Sequence, residues 1–160
     1  MGVAAGLAAC ANTISDHTEP AAGGASSGET GVCRVGGPYS INGRMYYPKA
    51  DWHYQAQGIA SWYDPALNGH LTANGEVYDE TALTAAHRTL QLPSIVSVTN
   101  LDNGKSVVVR VNDRGPFVRG RLIELSRRAA RLLGFERAGT ARVRVTLLTD
   151  STEKLWRACH

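Results

Sequence analysis

A carboxyl group stands where a predicted strand ends. Val107, Val109 and Val111 alternate as the buried face of a strand would, and Gly115-Pro116 stops that strand just after Asp113. Chemistry is often placed at strand ends, because the sheet fixes the group while the following loop leaves it open to a ligand. An Asp in this place can donate or withdraw a proton, but it can equally bond the backbone of its own turn. The spacing alone leaves both interpretations open.

Glu76 and His87 are two further polar side chains in places that suit a site. Glu76 ends a loop that begins at Asp64-Pro65, and a loop of that length in a small domain is more typical of a functional segment than of an idle one. His87 lies at the end of a helical turn or short helix that we predict within the segment 81–89. The plainer alternatives are a solvated turn carboxylate for Glu76 and a histidine hydrogen-bonded within the core for His87. No spacing of His and Cys indicates a metal site, and no cofactor is expected.

Short strands rich in β-branched residues must position these side chains. Alternating apolar residues bounded by turns predict strands over 57–63, 94–100, 105–112, 121–125 and 142–148. Asn42-Gly43 and Asp102-Asn103-Gly104 indicate hairpin turns, and Ser126 caps a helix that ends at Gly134. The pattern predicts a mainly β fold, a compact barrel with one or two short helices that is preceded by a flexible tail.

The N-terminal segment is predicted to be an anchor and a tether. Residues 1–10 are small and apolar and end in Leu7-Ala8-Ala9-Cys10, which resembles a bacterial lipobox, so that Cys10 would be lipidated after signal cleavage. Residues 11–33 are rich in Ala, Gly, Ser, Thr and acids, as in a flexible tether. Ala11 follows the Cys where an inner-membrane protein would carry Asp. We therefore expect a lipid-anchored protein of the cell envelope, held at the outer membrane and facing the periplasm. An apolar N-terminus with a chance Cys is the alternative.

Composition favours one packed domain plus a tail. Of 160 residues, 43% are hydrophobic and 19% are charged, which excludes disorder throughout. The net charge of +3 comes without a run of Lys and Arg, so nucleic-acid binding is not expected. Cys33 and Cys159 could pair in an oxidising periplasm, and the sequence leaves their redox state open. The organisation we predict is a signal remnant (1–10), a tether (11–33), a hairpin lead-in (34–56), the barrel (57–149) and a C-terminal tail (150–160).

Three blocks of sequence together resemble the rare lipoprotein A (RlpA) family. They are Gly-Ile-Ala-Ser-Trp-Tyr at 58–63, Thr-Ala-Asn-Gly-Glu at 72–76 with Thr-Ala-Ala-His at 84–87, and Val-Arg-Val-Asn-Asp-Arg-Gly-Pro-Phe at 109–117 with Arg-Leu-Ile-Glu-Leu-Ser at 121–126. The resemblance implies a six-stranded double-psi β-barrel. It also implies a septal, endolytic lytic transglycosylase, a carbon–oxygen lyase that cleaves β-1,4 MurNAc–GlcNAc bonds of peptidoglycan and leaves 1,6-anhydroMurNAc ends. The expected partner is a peptide-free glycan strand, and the expected state is a monomer.

The same resemblance implies roles for residues of this chain. Asp113 is expected to be the principal catalytic acid, with Glu76 and His87 as the other catalytic residues, placed to position sugar or to tune the acidity of Asp113. Substrate-binding roles are implied for Asn112, Arg114, Thr72, Trp62 and Tyr63. The chain departs from the family pattern in three places. Asp64 replaces a common Gly, Leu67-Asn68 replaces a common Phe-His, and Glu124 replaces the usual Asp.

Two other functions fit the same motifs. The first is a non-catalytic, expansin-like envelope lipoprotein that binds peptidoglycan in the same groove without making a product. The second is a hydrolase in which water, activated by a second carboxylate, attacks the sugar.

Overall fold

The computed structural model describes residues 31–159, in which six strands close into a barrel. Within these residues the chain forms eight strands, two α-helices and a 3-10 turn at Pro65–Leu67. The strands and α-helices are β1 Tyr39–Ile41, β2 Arg44–Tyr46, β3 Gln55–Trp62, β4 Thr84–Ala86, β5 Ser94–Asn100, β6 Ser106–Asp113, β7 Arg121–Leu125, α1 Arg127–Leu132, β8 Ala141–Leu147 and α2 Thr149–Ala158. The barrel follows the order β3-β7-β4-β6-β5-β8, which confirms the predicted mainly β, six-stranded fold. Residues 1–30, with the predicted lipobox and most of the tether, lie outside the described part.

The barrel mixes parallel and antiparallel pairs. Strands β3 and β7 run parallel, as do β4 and β6, while the remaining barrel neighbours are antiparallel. Alternation along the strands fills the interior, because successive side chains point to opposite faces. The most completely buried valines are Val96, Val98, Val109, Val111, Val143 and Val145. The apolar alternation read from the sequence is therefore the inner surface of a closed barrel.

The lead-in segment folds back as the predicted hairpin. Asn42 (φ 49°) and Gly43 (φ 77°) form its turn, in the left-handed conformation that two-residue hairpins require. The ring of Tyr46 stacks on that of Tyr39 at 5.2 Å and lies 5.5 Å from that of Phe117, with distances taken between centroids. These aromatic rings pack the hairpin against the loop that leaves β6.

The segment 81–89 was predicted to be a helical turn and is not helical. Residues Thr84–Ala86 form β4, which lies between β6 and β7 and pairs with both. Ala85 and Ala86 are fully buried there. Alanine favours a helix in isolation, but hydrogen bonds to two neighbouring strands outweigh the local preference.

The two α-helices pack against the barrel, α1 beside β3 and β6 and α2 beside β5. Ser126 caps α1 by accepting the Ala129 N–H, and Gly134 (φ 81°) follows its C-terminus, as predicted. The segment 150–160, predicted as a tail, mostly belongs to α2. Neither helix in residues 31–159 is long and apolar enough to cross a membrane.

A disulfide between Cys33 and Cys159 joins the two ends of the described chain. The two Cα atoms lie 6.1 Å apart, although 126 positions separate the residues in sequence. The pairing that the sequence left open is therefore present in the structure.

Gly58 in β3 stands where two strands leave no room for a side chain. An added Cβ would lie 2.8 Å from Cβ of Leu122, an atom that cannot swing away because it is fixed to the backbone of β7. Gly58→Ala is therefore expected to lower the free energy of unfolding by about 2 kcal/mol, measured by urea titration. Gly37→Ala is the matched control, because an added Cβ there meets nothing within 4 Å. Equal unfolding midpoints for the two variants would contradict the prediction.

Candidate active site

Asp113 is the last residue of β6, and three donors hold its carboxylate. Oδ1 accepts the backbone N–H groups of Ala73 and Arg114, each at 2.8 Å, and Oδ2 accepts the Tyr63 hydroxyl at 2.8 Å. The Arg114 bond is the local turn contact that the plainer interpretation foresaw. The other two donors come from the long loop and from the end of β3, so distant segments converge on one half-buried side chain. The group is fixed in place and still reachable from solvent.

A β-bulge brings Asp113 beside β4. Ala85 pairs with Val111, but the next residue, Ala86, pairs with Asp113, so Asn112 is the extra residue of β6. On the other side of β4, Ala86 pairs with Glu124 of β7. Two carboxyl groups thus flank one small residue, Ala86, at the end of three adjacent strands.

Glu124 is a half-buried carboxyl group that responds to the charge of Asp113. Burial is the largest influence and raises the pKa of Glu124 above its ordinary value of 4.5, and the negative charge of Asp113 raises it further, against a smaller opposing effect of Arg121. The sequence hypothesis gave this neighbouring role to Glu76. Glu124 entered it only as a departure from the family pattern.

Glu124→Gln is expected to make the protein more stable at neutral pH than the wild type. A raised folded-state pKa means that Glu124 contributes stability below its unfolded pKa and that this contribution is lost as pH rises through the folded pKa. Gln removes that ionisation. The difference in melting temperature, variant minus wild type, should therefore be small below pH 4.5 and grow positive above the raised pKa.

The control for that series is Glu153→Gln, on the surface of α2. Its melting temperature should differ from that of the wild type by a small amount that does not change with pH. A neutral-pH melting temperature of Glu124→Gln below that of the wild type would show that ionised Glu124 is stabilising, contrary to the prediction.

A small cluster of buried side chains lies next to the two carboxyl groups. Tyr63, Tyr78 and Ala86 are buried together outside the main core, and the tyrosine rings stack at 4.3 Å between centroids. Burial, followed by the charge of Asp113, raises the pKa of Tyr63 above its ordinary value. Its hydroxyl therefore stays protonated and donates to Asp113 at every pH of interest.

Glu76 is locked in a buried ion pair. Its oxygens accept hydrogen bonds from Arg110 (Nη2 at 2.6 Å), from Asn112 (2.7 Å) and from Asn74 (2.8 Å), and its side chain is 5% exposed. Burial is the largest influence on the pKa of Glu76 and raises it, but the three hydrogen-bond partners together outweigh burial and leave the pKa below its ordinary value. This pair fixes the turn that delivers the Ala73 N–H to Asp113.

His87 is buried, and both of its ring nitrogens are engaged. Nδ1 accepts the backbone N–H groups of Thr89 and Leu90, each at 3.2 Å, so the ring proton lies on Nε2, which donates to the Tyr54 hydroxyl at 2.8 Å. Burial first, and then Arg88 and Arg114, lower the pKa of His87 to about 3. The ring is therefore neutral at physiological pH, and its hydrogen bonds hold the backbone of residues 89 and 90 after β4.

The residues expected to bind substrate mostly turn inward. Asn112 is 2% exposed and bonds Glu76, and buried Thr72 bonds Asn74. The indole N–H of Trp62 donates to the Glu136 carbonyl, and the guanidinium of Arg114 donates to the carbonyls of His87, Leu90 and Val35. Of the five, Tyr63 alone donates a side-chain hydrogen bond to Asp113. Their roles toward a substrate stay predictions, and their contacts are those of residues that build the site.

The sequence hypothesis missed two components of the site, Glu124 and the Ala73 N–H. The signal for Glu124 was its place in the strand Arg121–Leu125, where it alternates with the buried Ile123 and Leu125 and so must face outward. The Ala73 donor had no signal, because any residue carries a backbone N–H.

Comparison with known proteins gives a family and close relatives. A family profile described as lytic transglycolase matches residues 55–145. Relatives named endolytic peptidoglycan transglycosylase RlpA, from two strains of Pseudomonas aeruginosa, are 59% identical over 109 residues, which cover 68% of this chain and 32% of the relative. The relative of that name from Vibrio cholerae is 53% identical over 115 residues, covering 69% and 43%.

These relatives are longer proteins, since the chain spans only 32% to 43% of their lengths. Among solved structures, an expansin from Clavibacter michiganensis is 18% identical with a TM-score of 0.49 and covers 61% of this chain and 52% of its own. That likeness is too distant to bear on function.

Proposed function

The chain belongs to the lytic transglycolase family, and on that premise we propose that it is an endolytic peptidoglycan transglycosylase that remodels the cell wall. The observation that carries the proposal is the carboxylate of Asp113, fixed by three donors at the open end of β6 with a second carboxyl group, Glu124, across Ala86. The close relatives named for this activity support it. The substrate we propose is a peptide-free glycan strand.

The reaction needs one group that gives a proton and then takes one back. As the bond between MurNAc C1 and the leaving oxygen breaks, an acid protonates that oxygen, and positive charge develops at C1. The C6 hydroxyl of the same sugar then attacks C1 and loses its proton to the same carboxylate. Asp113 performs both transfers. It starts protonated, gives its proton to the leaving oxygen and regains one from the C6 hydroxyl, so no water is consumed.

Glu76 and His87 serve this reaction as positioning residues. The ion pair of Glu76 with Arg110 holds the turn that places the Ala73 N–H on Asp113, and His87 supports the chain beyond β4. Neither needs to touch the sugar for its loss to lower the rate.

The envelope location remains part of the proposal. The sequence Leu7-Ala8-Ala9-Cys10 supports lipidation of Cys10, and residues 11–33 would then act as a tether from the outer membrane into the periplasm. Metabolic labelling with a fatty-acid analogue tests this, since the label should be lost in Cys10→Ser.

The experiment that tests the activity uses the 160-residue chain and peptide-free glycan strands in water enriched in heavy oxygen. The proposal expects 1,6-anhydroMurNAc ends that carry no label, detected by mass spectrometry. Labelled reducing ends would identify a hydrolase, and intact strands retained by the folded protein would identify the binding-only alternative. Either of these results would overturn the proposal.

A further inference from the structure

Four arginines surround one cavity beside the candidate active site. The cavity has a volume of about 540 Å³, and Arg44, Arg88, Arg119 and Arg121 line it. They come from different segments, which are β2, the chain after β4, the loop that follows β6, and the start of β7. Because the fold rather than a local run of sequence gathers them, the cluster was invisible in the sequence.

In the described part of the chain these arginines have no carboxylate within ion-pair distance, although the guanidinium of Arg44 lies 5.6 Å from the centre of the Tyr46 ring. Within residues 31–159, none of the four forms a salt bridge, whereas Arg127 and Arg131 on α1 share Glu136 at 2.7 and 2.9 Å. The charge of Arg121 acts on Glu124 from a distance only. Like charges that are gathered without ion-pair partners repel each other, and a bound anion would relieve that repulsion.

Strand β7 connects the cavity to the candidate active site. Strand β7 begins at Arg121, on the rim of the cavity, and reaches Glu124 three residues later, a distance of about 10 Å along a strand. This distance is comparable with one disaccharide of a β-1,4 glycan. Arg88 and Arg121 are half-buried, so water screens their charges less than it screens those of fully exposed arginines.

We propose that this arginine cavity binds a carboxylate carried by the peptidoglycan strand while Asp113 faces the bond to be cleaved. The inference rests on the proposed function and adds to it a binding subsite and its chemistry. The planar guanidinium suits this ligand, because it binds a carboxylate through two parallel N–H groups. On the peptide-free strand proposed above, this carboxylate is the lactyl group of MurNAc. Stem peptides carry carboxylates of the same chemistry, so strands that keep them form a separate arm of the test.

The test measures equilibrium binding by isothermal titration calorimetry to the full chain carrying Asp113→Asn, so that strands are not consumed. The ligands are peptide-free strands, the same strands with their carboxylates converted to neutral amides, and strands that keep their stem peptides. A second protein adds Arg44→Gln, Arg88→Gln and Arg119→Gln. The matched control instead adds Arg137→Gln, Lys154→Gln and Arg157→Gln, which remove as much charge from exposed positions elsewhere.

The arginine variant should bind carboxylate-bearing strands about tenfold more weakly than the control, with little difference between the two proteins on amidated strands. The native ligand that shows the arginine-dependent loss identifies the source of the carboxylate. Equal affinities of both proteins for native and amidated strands would overturn the inference and leave the proposed function standing. Failure of the chain to bind peptidoglycan in any form would remove the proposed function and the inference with it.

Discussion

Asp113→Asn is expected to slow the formation of 1,6-anhydroMurNAc ends by about 10³-fold, which is within the range that a general acid or base contributes. Asn has nearly the same shape and still accepts the N–H groups of Ala73 and Arg114, but it cannot give a proton to the leaving oxygen. The measurement is the initial rate of anhydro-end formation on peptide-free strands by mass spectrometry. The melting temperature should change little, because the variant keeps two of the three hydrogen bonds and can reorient the third.

Asp102→Asn provides the matched control for the charge change. Asp102 is an exposed carboxylate paired with Arg142, in the turn between β5 and β6. Its loss should leave the rate within a factor of about two, since an exposed pair contributes little to stability and lies outside the site. If Asp113→Asn retained more than a tenth of the wild-type rate, the acid would have to be sought elsewhere, with Glu124 as the next candidate.

Glu76→Gln is expected to lower the free energy of unfolding by about 3 kcal/mol, because it leaves the charge of Arg110 buried without its partner. The two side chains are 5% and 13% exposed, so solvent can do little to replace the lost contact. Folding lowers the pKa of Glu76 below its ordinary value of 4.5. Ionised Glu76 therefore stabilises the fold fully above pH 4.5, and this stabilisation is lost as the pH falls through the folded-state pKa. The difference in the free energy of unfolding between the wild type and Glu76→Gln, measured by urea titration, should therefore become smaller as the pH is lowered.

A double variant separates the ion pair from the shape of the turn. Glu76→Leu with Arg110→Met removes both charges and should recover most of the lost stability, as replacements of buried pairs by apolar residues often do. Glu153→Gln breaks an exposed pair on α2 and is expected to change stability by less than about 0.5 kcal/mol. A double variant as unstable as Glu76→Gln would show that the hydrogen bonds to Asn74 and Asn112, rather than the unpaired charge, account for the loss.

Local chemistry made much of the fold predictable. Asn42-Gly43 requires the left-handed backbone of a tight hairpin, and the alternating valines of β5 and β6 can bury one face only as strands. The short strand β4 is not predictable from its sequence, because its three residues show no alternation of their own and are extended only through pairing with neighbouring strands. The segment 150–160, predicted to be a tail, mostly belongs to helix α2, because Trp156 and Thr152 attach it to the barrel by hydrogen bonds with Pro93 and Ile95.

The site was predictable in its central residue and less so in its surroundings. Asp113 stands at a strand end, and that much follows from the valine pattern and Gly115-Pro116. The side to which it points depends on the bulge at Asn112, and its neighbour Glu124 depends on the register of β7 against β4. Both are contacts between segments distant in sequence, which spacing along one strand cannot encode.

The link between Cys33 and Cys159 turns the domain into a covalent ring, since every barrel strand lies between the two joined residues. Residues 64–71 are exposed throughout, which makes them the kind of segment that proteases cut first. A single cut there would open the ring, but the disulfide would still join the two fragments covalently. Only a reductant would break that last covalent link. Resistance to proteolysis would then depend on whether this disulfide is oxidised as much as on the packing of the barrel.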